Sequence, residues 1–66
     1  MYISEGTVKK ILKEAGAVRI SAPAIAEMKK RMNKIAFKTA QKAIRLSRHA
    51  KRKTVEASDI RLACQQ

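Results

Sequence analysis

The stretch SAPAIAEMKKRMNKIAFKTAQKAIRLSRHA, residues 21–50, decides the fold. Ser21 is a good helix N-cap, and Pro23 suits the first turn, where its missing N–H costs nothing. Neither Gly nor a second Pro interrupts the remainder of the stretch. We therefore predict one helix of about 29 residues, about 43 Å long. Two short flanking helices cannot cover a helix of that length, so we expect it to cross its own copy.

Short helices are predicted on both sides of the long one. The first begins near Ser4, with Glu5 placed favourably against the helix dipole, and Gly16 ends it. The last occupies residues 56–64. Two extended links connect the helices, and the apolar–basic–apolar alternation in residues 17–20 is typical of a brief strand. The predicted fold class is all-α, as a single domain over residues 1–66.

The composition favours an oligomer. The chain has 66 residues and contains one Phe and one Tyr. A domain near 60 residues hides only about 60% of its unfolded surface. With so few bulky side chains, one copy has difficulty offsetting the chain entropy that folding costs. We expect a second copy to supply the missing core.

The formal net charge of +11 calls for an anionic partner. Nucleic acid is the commonest such partner, and an anionic membrane surface is the competitor. A basic helix face is usually only a solvated face. Here lysines recur every four residues without an intervening Glu, so like charges repel one another unless an anion binds. We expect Lys30, Lys34, Lys38 and Lys42 to contact nucleic acid, in addition to the residues named below.

Several classes of function are disfavoured. No apolar run approaches the ~20 residues of a membrane span, so we expect a soluble cytoplasmic protein without a membrane partner. One His and one Cys make a metal site improbable, and Cys64 is expected to be a small core residue. No nucleophile and base form a credible pair. We therefore predict no enzyme, no cofactor and no small-molecule substrate.

Three segments carry a resemblance to a known family: VKKILKEAGAVRIS (8–21), AIRLSRHAKRKT (43–54) and VEASDIRLA (55–63). They resemble archaeal histones, and the order of short, long and short helix resembles the histone fold. The resemblance implies a handshake homodimer whose long helices cross at their middles, with tetramers or larger assemblies built from it. It also implies binding to double-stranded DNA without reading its sequence, and compaction of the chromosome or nucleoid.

The resemblance also implies roles for individual residues. Arg19 of one chain would enter the minor groove, where Thr54 of the other chain holds it, and Lys53 would meet phosphate. The remaining expected DNA contacts are Lys51 in the second link and Lys10 and Lys13 on the first helix. Arg52 and Asp59 match a pair that braces the second link. The positions where dimers join are matched by Leu46, His49, Asp59 and Leu62.

Two departures from the family pattern bear on function. Lys51 stands where archaeal histones usually have Gly, and a left-handed conformation there would cost roughly 1 kcal/mol. The outer face of the long helix is unusually basic, which favours bridging of a second DNA segment over stacked wrapping. The alternative function is a histone-fold subunit of a heterodimeric transcription complex or another multiprotein complex. A membrane-binding basic helix is a third, weaker alternative.

Overall fold

The computed structural model describes residues 2–65, so the two end residues of the predicted domain lie outside it. Three helices form in this part of the chain: α1 (Glu5–Glu14), α2 (Ala22–His49) and α3 (Ala57–Cys64). Their lengths are 10, 28 and 8 residues. The all-α prediction and the order short, long, short are confirmed. The chain separates into two compact units, Met1–Lys34 and Ile35–Gln66, and α2 contributes to both.

The unit Met1–Lys34 holds α1 against the first part of α2. The Ser4 Oγ accepts a hydrogen bond from the backbone N–H of Thr7 at 3.1 Å, which caps α1. The backbone N–H of Ile3 donates to the Asn33 Oδ1 at 2.9 Å, so the chain ahead of α1 is tied to α2. Val8 is fully buried between these elements. This unit therefore has one apolar side chain at its centre.

Local hydrogen bonds end α1 and begin α2 at the predicted residues. Gly16 has φ 111°, and its N–H donates to the Lys13 carbonyl at 3.0 Å. Such a positive φ is easily adopted only by Gly, which explains why the helix stops there. The Ser21 Oγ accepts from the N–H of Ala24 at 3.2 Å and caps α2.

The link between α1 and α2 is not a strand, so the expectation of a brief strand in residues 17–20 is wrong for the single chain. A strand needs a neighbour for its N–H and C=O groups, and no strand forms within residues 2–65. Val18 is 97% exposed here, and Arg19 is exposed beside it. A partner strand for this link would have to come from another chain.

The unit Ile35–Gln66 packs α3 along the second part of α2. Ala43 and Ser47 of α2 and Asp59 and Ala63 of α3 are buried. The Ser47 hydroxyl donates to the Ile44 carbonyl at 2.9 Å, which satisfies it inside the helix. Cys64, expected in the core, is instead exposed. The buried residues of α3 are Asp59 and Ala63, which lie one turn apart on the same side of the helix.

Large apolar side chains remain exposed in both units. On α2, Ala43 is buried, but Ile35 is 65% exposed. The other apolar side chains of this second unit exposed by more than a third are Phe37, Ile44, Val55, Ile60 and Leu62. Ile35 lies on the long helix that was expected to cross its own copy, and in a single chain this side chain stays uncovered.

Candidate nucleic-acid interface

The second link, residues 50–56, begins with a strained turn. The N–H of Lys51 donates to the Arg48 carbonyl at 2.8 Å, and the N–H of Arg52 donates to the Ser47 carbonyl at 2.9 Å. This pair of bonds is a Schellman motif, which requires a left-handed residue at its centre. That residue is Lys51, with φ 61°, the only residue other than Gly with positive φ among residues 2–65. The structure thus places a lysine where the backbone favours glycine.

Arg52 fixes the path of the link after this turn. Its guanidinium binds both carboxylate oxygens of Asp59, with Nη1 to Oδ2 at 2.9 Å and Nη2 to Oδ1 at 2.8 Å. The same Nη1 also donates to the Thr54 carbonyl at 3.1 Å and lies 3.3 Å from a carboxylate oxygen of Glu56. Such a two-pronged ion pair is stronger and more directional than a single hydrogen bond. The structure therefore brings the expected bracing pair into direct contact.

Asp59 also begins α3. Its Oδ2 accepts the backbone N–H of Glu56 at 2.8 Å, and only 5% of the residue is exposed. The hydrogen bonds from Arg52, followed by the one from the Glu56 N–H, lower the pKa of Asp59 to about 2. The same contact raises the pKa of Arg52. Both groups stay charged at neutral pH, so the brace is permanent under those conditions.

The braced link presents exposed cations. Lys51, Lys53 and Thr54 are all exposed. The acidic side chains in residues 35–66 are Glu56 and Asp59, and both contact Arg52. Neither carboxylate is left to neutralise Lys51 or Lys53. The link can therefore offer its charge to an external anion.

The other expected DNA contacts lie in the unit Met1–Lys34 or on α2. Lys10 and Lys13 are exposed on α1, and Arg19 is exposed in the first link. Their meeting with residues of the second link is expected between two chains and stays a prediction. On α2, Lys30, Lys34 and Lys38 are exposed, whereas Lys42 is half-buried beside Ala63 and Cys64.

The residues expected to join dimers differ in accessibility. His49 is exposed, Leu62 is 46% exposed and Leu46 is half-buried. Asp59 is buried, and both of its oxygens are bound within the chain. Its place in a dimer–dimer contact stays a prediction.

The sequence reasoning missed one feature of α2. Gln41, Ile44, Arg45 and Arg48 line a shallow surface depression. The long helix was expected to have an unusually basic outer face, but no site was assigned to these two arginines. Their spacing of three residues, which places both on one helix face, was the available signal.

Two other kinds of site find no support in the described part of the chain. In residues 2–65, no group of three or more His, Cys, Asp or Glu side chains is arranged to hold a metal ion. None of the three helices there combines the length and apolar character that a membrane crossing requires.

Comparison with known proteins identifies the family. Residues 1–64 match the family described as histone-like transcription factor (CBF/NF-Y) and archaeal histone. The chain is 43% identical over 54 residues to probable archaeal histone 3 of Methanocaldococcus jannaschii, covering 82% of this chain and 81% of that protein. It is 38% identical over 56 residues to one subunit of the archaeal histone HAN1 of Thermococcus zilligii, covering 85% of this chain and 84% of that protein. This histone-fold chain therefore belongs to the family of histone-like transcription factors and archaeal histones.

Proposed function

We propose that this chain binds double-stranded DNA without reading its sequence and compacts the chromosome. It acts as a homodimer or larger assembly that wraps, bends or bridges the duplex. The observation that carries the proposal is the braced second link, where exposed Lys51 and Lys53 have no carboxylate of their own. Membership of a family of histones and histone-like transcription factors supports it. We propose that the chain has no catalytic activity, cofactor or small-molecule substrate. We also propose that it is cytoplasmic and associated with the chromosome.

Phosphate contacts supply the binding energy in this proposal. Lys51 and Lys53 meet the DNA backbone, and each contact releases counterions into solution. Arg52 holds the link rigid through Asp59, so the lysines lose little freedom when the duplex arrives. Thr54 holds the Arg19 side chain of the other copy. Lys10 and Lys13 extend the contact along α1, and the exposed lysines of α2 add to it.

The homodimer completes both the core and the site. Val8, Ala43 and Ala63 are the buried apolar residues of the described chain. A second copy lying across α2 would cover exposed side chains such as Ile35. It would also supply the neighbour that the first link lacks, placing Arg19 beside the second link of the partner. The same association therefore stabilises the fold and completes the DNA-binding site.

A heterodimer is the second candidate function. The relative from Thermococcus zilligii is named as one subunit of a histone, and the family description includes transcription factors. In that case the exposed apolar surface would fit a different histone-fold chain. The purified chain alone distinguishes the two: a folded homodimer favours the first candidate, and an unfolded lone chain favours the second.

Titration of duplexes of unrelated sequence tests the proposed function. We expect similar affinities for all of them and a steep loss of affinity with salt. Nuclease digestion of the complex then gives protected fragments whose length reports the size of the assembly. A strong preference for one sequence, or no protection at any protein concentration, would contradict the proposal.

A further inference from the structure

A second basic surface lies on α2 within the unit Ile35–Gln66, just ahead of the second link along the chain. Gln41, Ile44, Arg45 and Arg48 line a depression of about 370 Å³ and are all exposed. We infer, building on the proposed function, that this surface binds the phosphates of a second DNA duplex. We name these four residues the arginine face. One protein particle then bridges two duplexes, one held by the second link and the other by the arginine face.

The arginine face points away from α3, the helix to which Arg52 ties the second link. Thr39 and Ala63 line a common depression, so α3 lies along that side of α2. Ala43 on the same side is fully buried. At about 100° per residue, Arg45 lies roughly 200° and Arg48 roughly 140° around the helix from Ala43. Because Arg52 ties the second link to α3, a duplex on that link leaves the arginine face open.

Charge makes this face a site for an anion. Glu56 and Asp59 are both bound to Arg52, so no acidic side chain of this unit pairs with Arg45 or Arg48. Two cations three residues apart on a helix repel each other, and a bound anion relieves that repulsion. Guanidinium groups also suit phosphate, since their planar array of donors matches two phosphate oxygens.

The dimensions of the face fit a DNA backbone. Gln41 and Arg48 are seven residues apart, which is about 10 Å along the helix axis. Along the duplex axis one strand carries a phosphate about every 3.4 Å, so a face of this length can reach more than one phosphate. Gln41 adds amide donors at one end of the row.

An acidic protein is a less suitable occupant. Ile44 is the only apolar side chain of the face, and 38% of it is exposed. The centre of a protein–protein interface is usually apolar and depleted of charge. The balance of two arginines, one amide and one apolar residue therefore favours a charged backbone over a folded protein surface.

A bridging assay tests the inference. One duplex is fixed to beads, and recovery of a second, labelled duplex is measured as protein is added at constant salt. Affinity for a single short duplex is measured alongside, and circular dichroism verifies that each variant is folded. The test variant is Arg45→Gln with Arg48→Gln, which removes two positive charges. The control is Lys9→Glu, an exposed position on α1 that changes the net charge by the same amount.

We expect the double variant to recover about tenfold less of the second duplex, while its affinity for a single duplex stays within about threefold of wild type. The control should bridge like wild type. Undiminished bridging by the double variant, or an equal loss in Lys9→Glu, would overturn the inference. An equal loss of single-duplex affinity would place the arginines in the first DNA site and also overturn it. A wild-type chain that fails to bind even one duplex would overturn the proposed function as well.

Discussion

Lys51 holds the same backbone position at the end of α2 that Gly16 holds at the end of α1. Each is the left-handed residue of a Schellman motif, with φ 61° at Lys51 and 111° at Gly16. A side-chain-bearing residue in that conformation costs free energy that Gly does not. The second link therefore carries a cation at the expense of stability, which indicates that the charge has a use.

Replacing Lys51 tests this exchange of stability for binding. Lys51→Gly should raise the free energy of unfolding by about 1 kcal/mol, because the strain is removed. The same change should lower DNA affinity, because one phosphate contact is lost. Denaturant unfolding and a duplex titration at fixed salt measure the two effects.

Two further variants separate charge from conformation. Lys51→Ala removes the charge but keeps the strain, so affinity should fall without the gain in stability. Gly16→Ala should destabilise the protein by about 1 kcal/mol, since a Cβ there meets no atom within 4 Å and only backbone strain is added. A loss of stability in Lys51→Gly would contradict the assignment of strain to this turn.

Breaking the Arg52–Asp59 pair should weaken both the fold and DNA binding. Arg52→Gln leaves the carboxylate of Asp59 buried with only the Glu56 N–H as a partner, which is unfavourable for a charge. The melting temperature should fall, and the second link should become more mobile in hydrogen exchange. Arg52→Lys should rescue little, because an ammonium group cannot bind both carboxylate oxygens in the same plane.

The exposed pair of Arg31 and Glu27 is the matched control for the brace. These side chains meet at 2.9 Å but are 74% and 56% exposed. Exposed pairs contribute between 0 and about 1 kcal/mol. Arg31→Gln should therefore leave the melting temperature nearly unchanged. If it destabilises the protein as much as Arg52→Gln, the special role of the brace is wrong.

Acid should destabilise the protein through Asp59. Its pKa is about 2 in the folded chain, below the ordinary value of about 3.9 for an unfolded Asp. A lowered pKa contributes stability that is present above about pH 4 and is lost as the pH falls toward 2. Unfolding curves across that range should show the decline, and it should be smaller in Asp59→Asn. An equally steep decline in the variant would assign the effect to other carboxylates.

The salt dependence of DNA binding should show whether a single lysine contacts a phosphate. Lys53→Gln should lower affinity by a similar factor for duplexes of any sequence. The substitution should also reduce the slope of log affinity against log salt concentration by about 1 for each phosphate contact that is lost. Lys9→Gln, a change at an exposed lysine outside the proposed site, should leave the slope unaltered. An unchanged slope in Lys53→Gln would exclude a phosphate contact at this residue.

Association of chains should be visible as a concentration-dependent melting temperature. If a second copy covers the apolar side chains left exposed on α2, unfolding also separates the chains, so the midpoint rises with protein concentration. Ile35, which is 65% exposed in one chain, gives a direct probe. Ile35→Asp should lower the midpoint strongly and favour the monomer in analytical ultracentrifugation. If Ile35 stays exposed to solvent in the assembled protein, Ile35→Asp should leave the midpoint and the oligomeric state unchanged, which would contradict this role for Ile35.

Sequence alone predicted the helices because their ends depend on local chemistry. Ser4, Ser21 and Gly16 act on N–H and C=O groups within a few residues, so their effects can be read without the rest of the fold. The extended link before Ser21 was harder to predict. Whether it becomes a strand depends on a neighbour from outside the chain, which local sequence does not contain.

The candidate site was harder to predict from the sequence than the helices were. Arg52 lies in the second link and Asp59 in α3, so no single regular element contains both residues and no helical or strand period predicts their contact. Their pairing was expected only by resemblance to archaeal histones. Cys64 was expected in the core because cysteine is often a small buried residue. Its actual exposure depends on how α3 packs along α2, which the local sequence does not reveal. The arginine face depends on how neighbouring side chains are packed around Ile44.

The small apolar core has a consequence for the lifetime of the protein in a cell. With Val8 in one unit and Ala43 and Ala63 in the other, we expect a chain without the partner proposed above to open often and to be cut by proteases. Survival then depends on how quickly two chains meet after synthesis. Because that step is second order in concentration, we expect rapid synthesis to leave more lasting protein than the same number of chains made slowly.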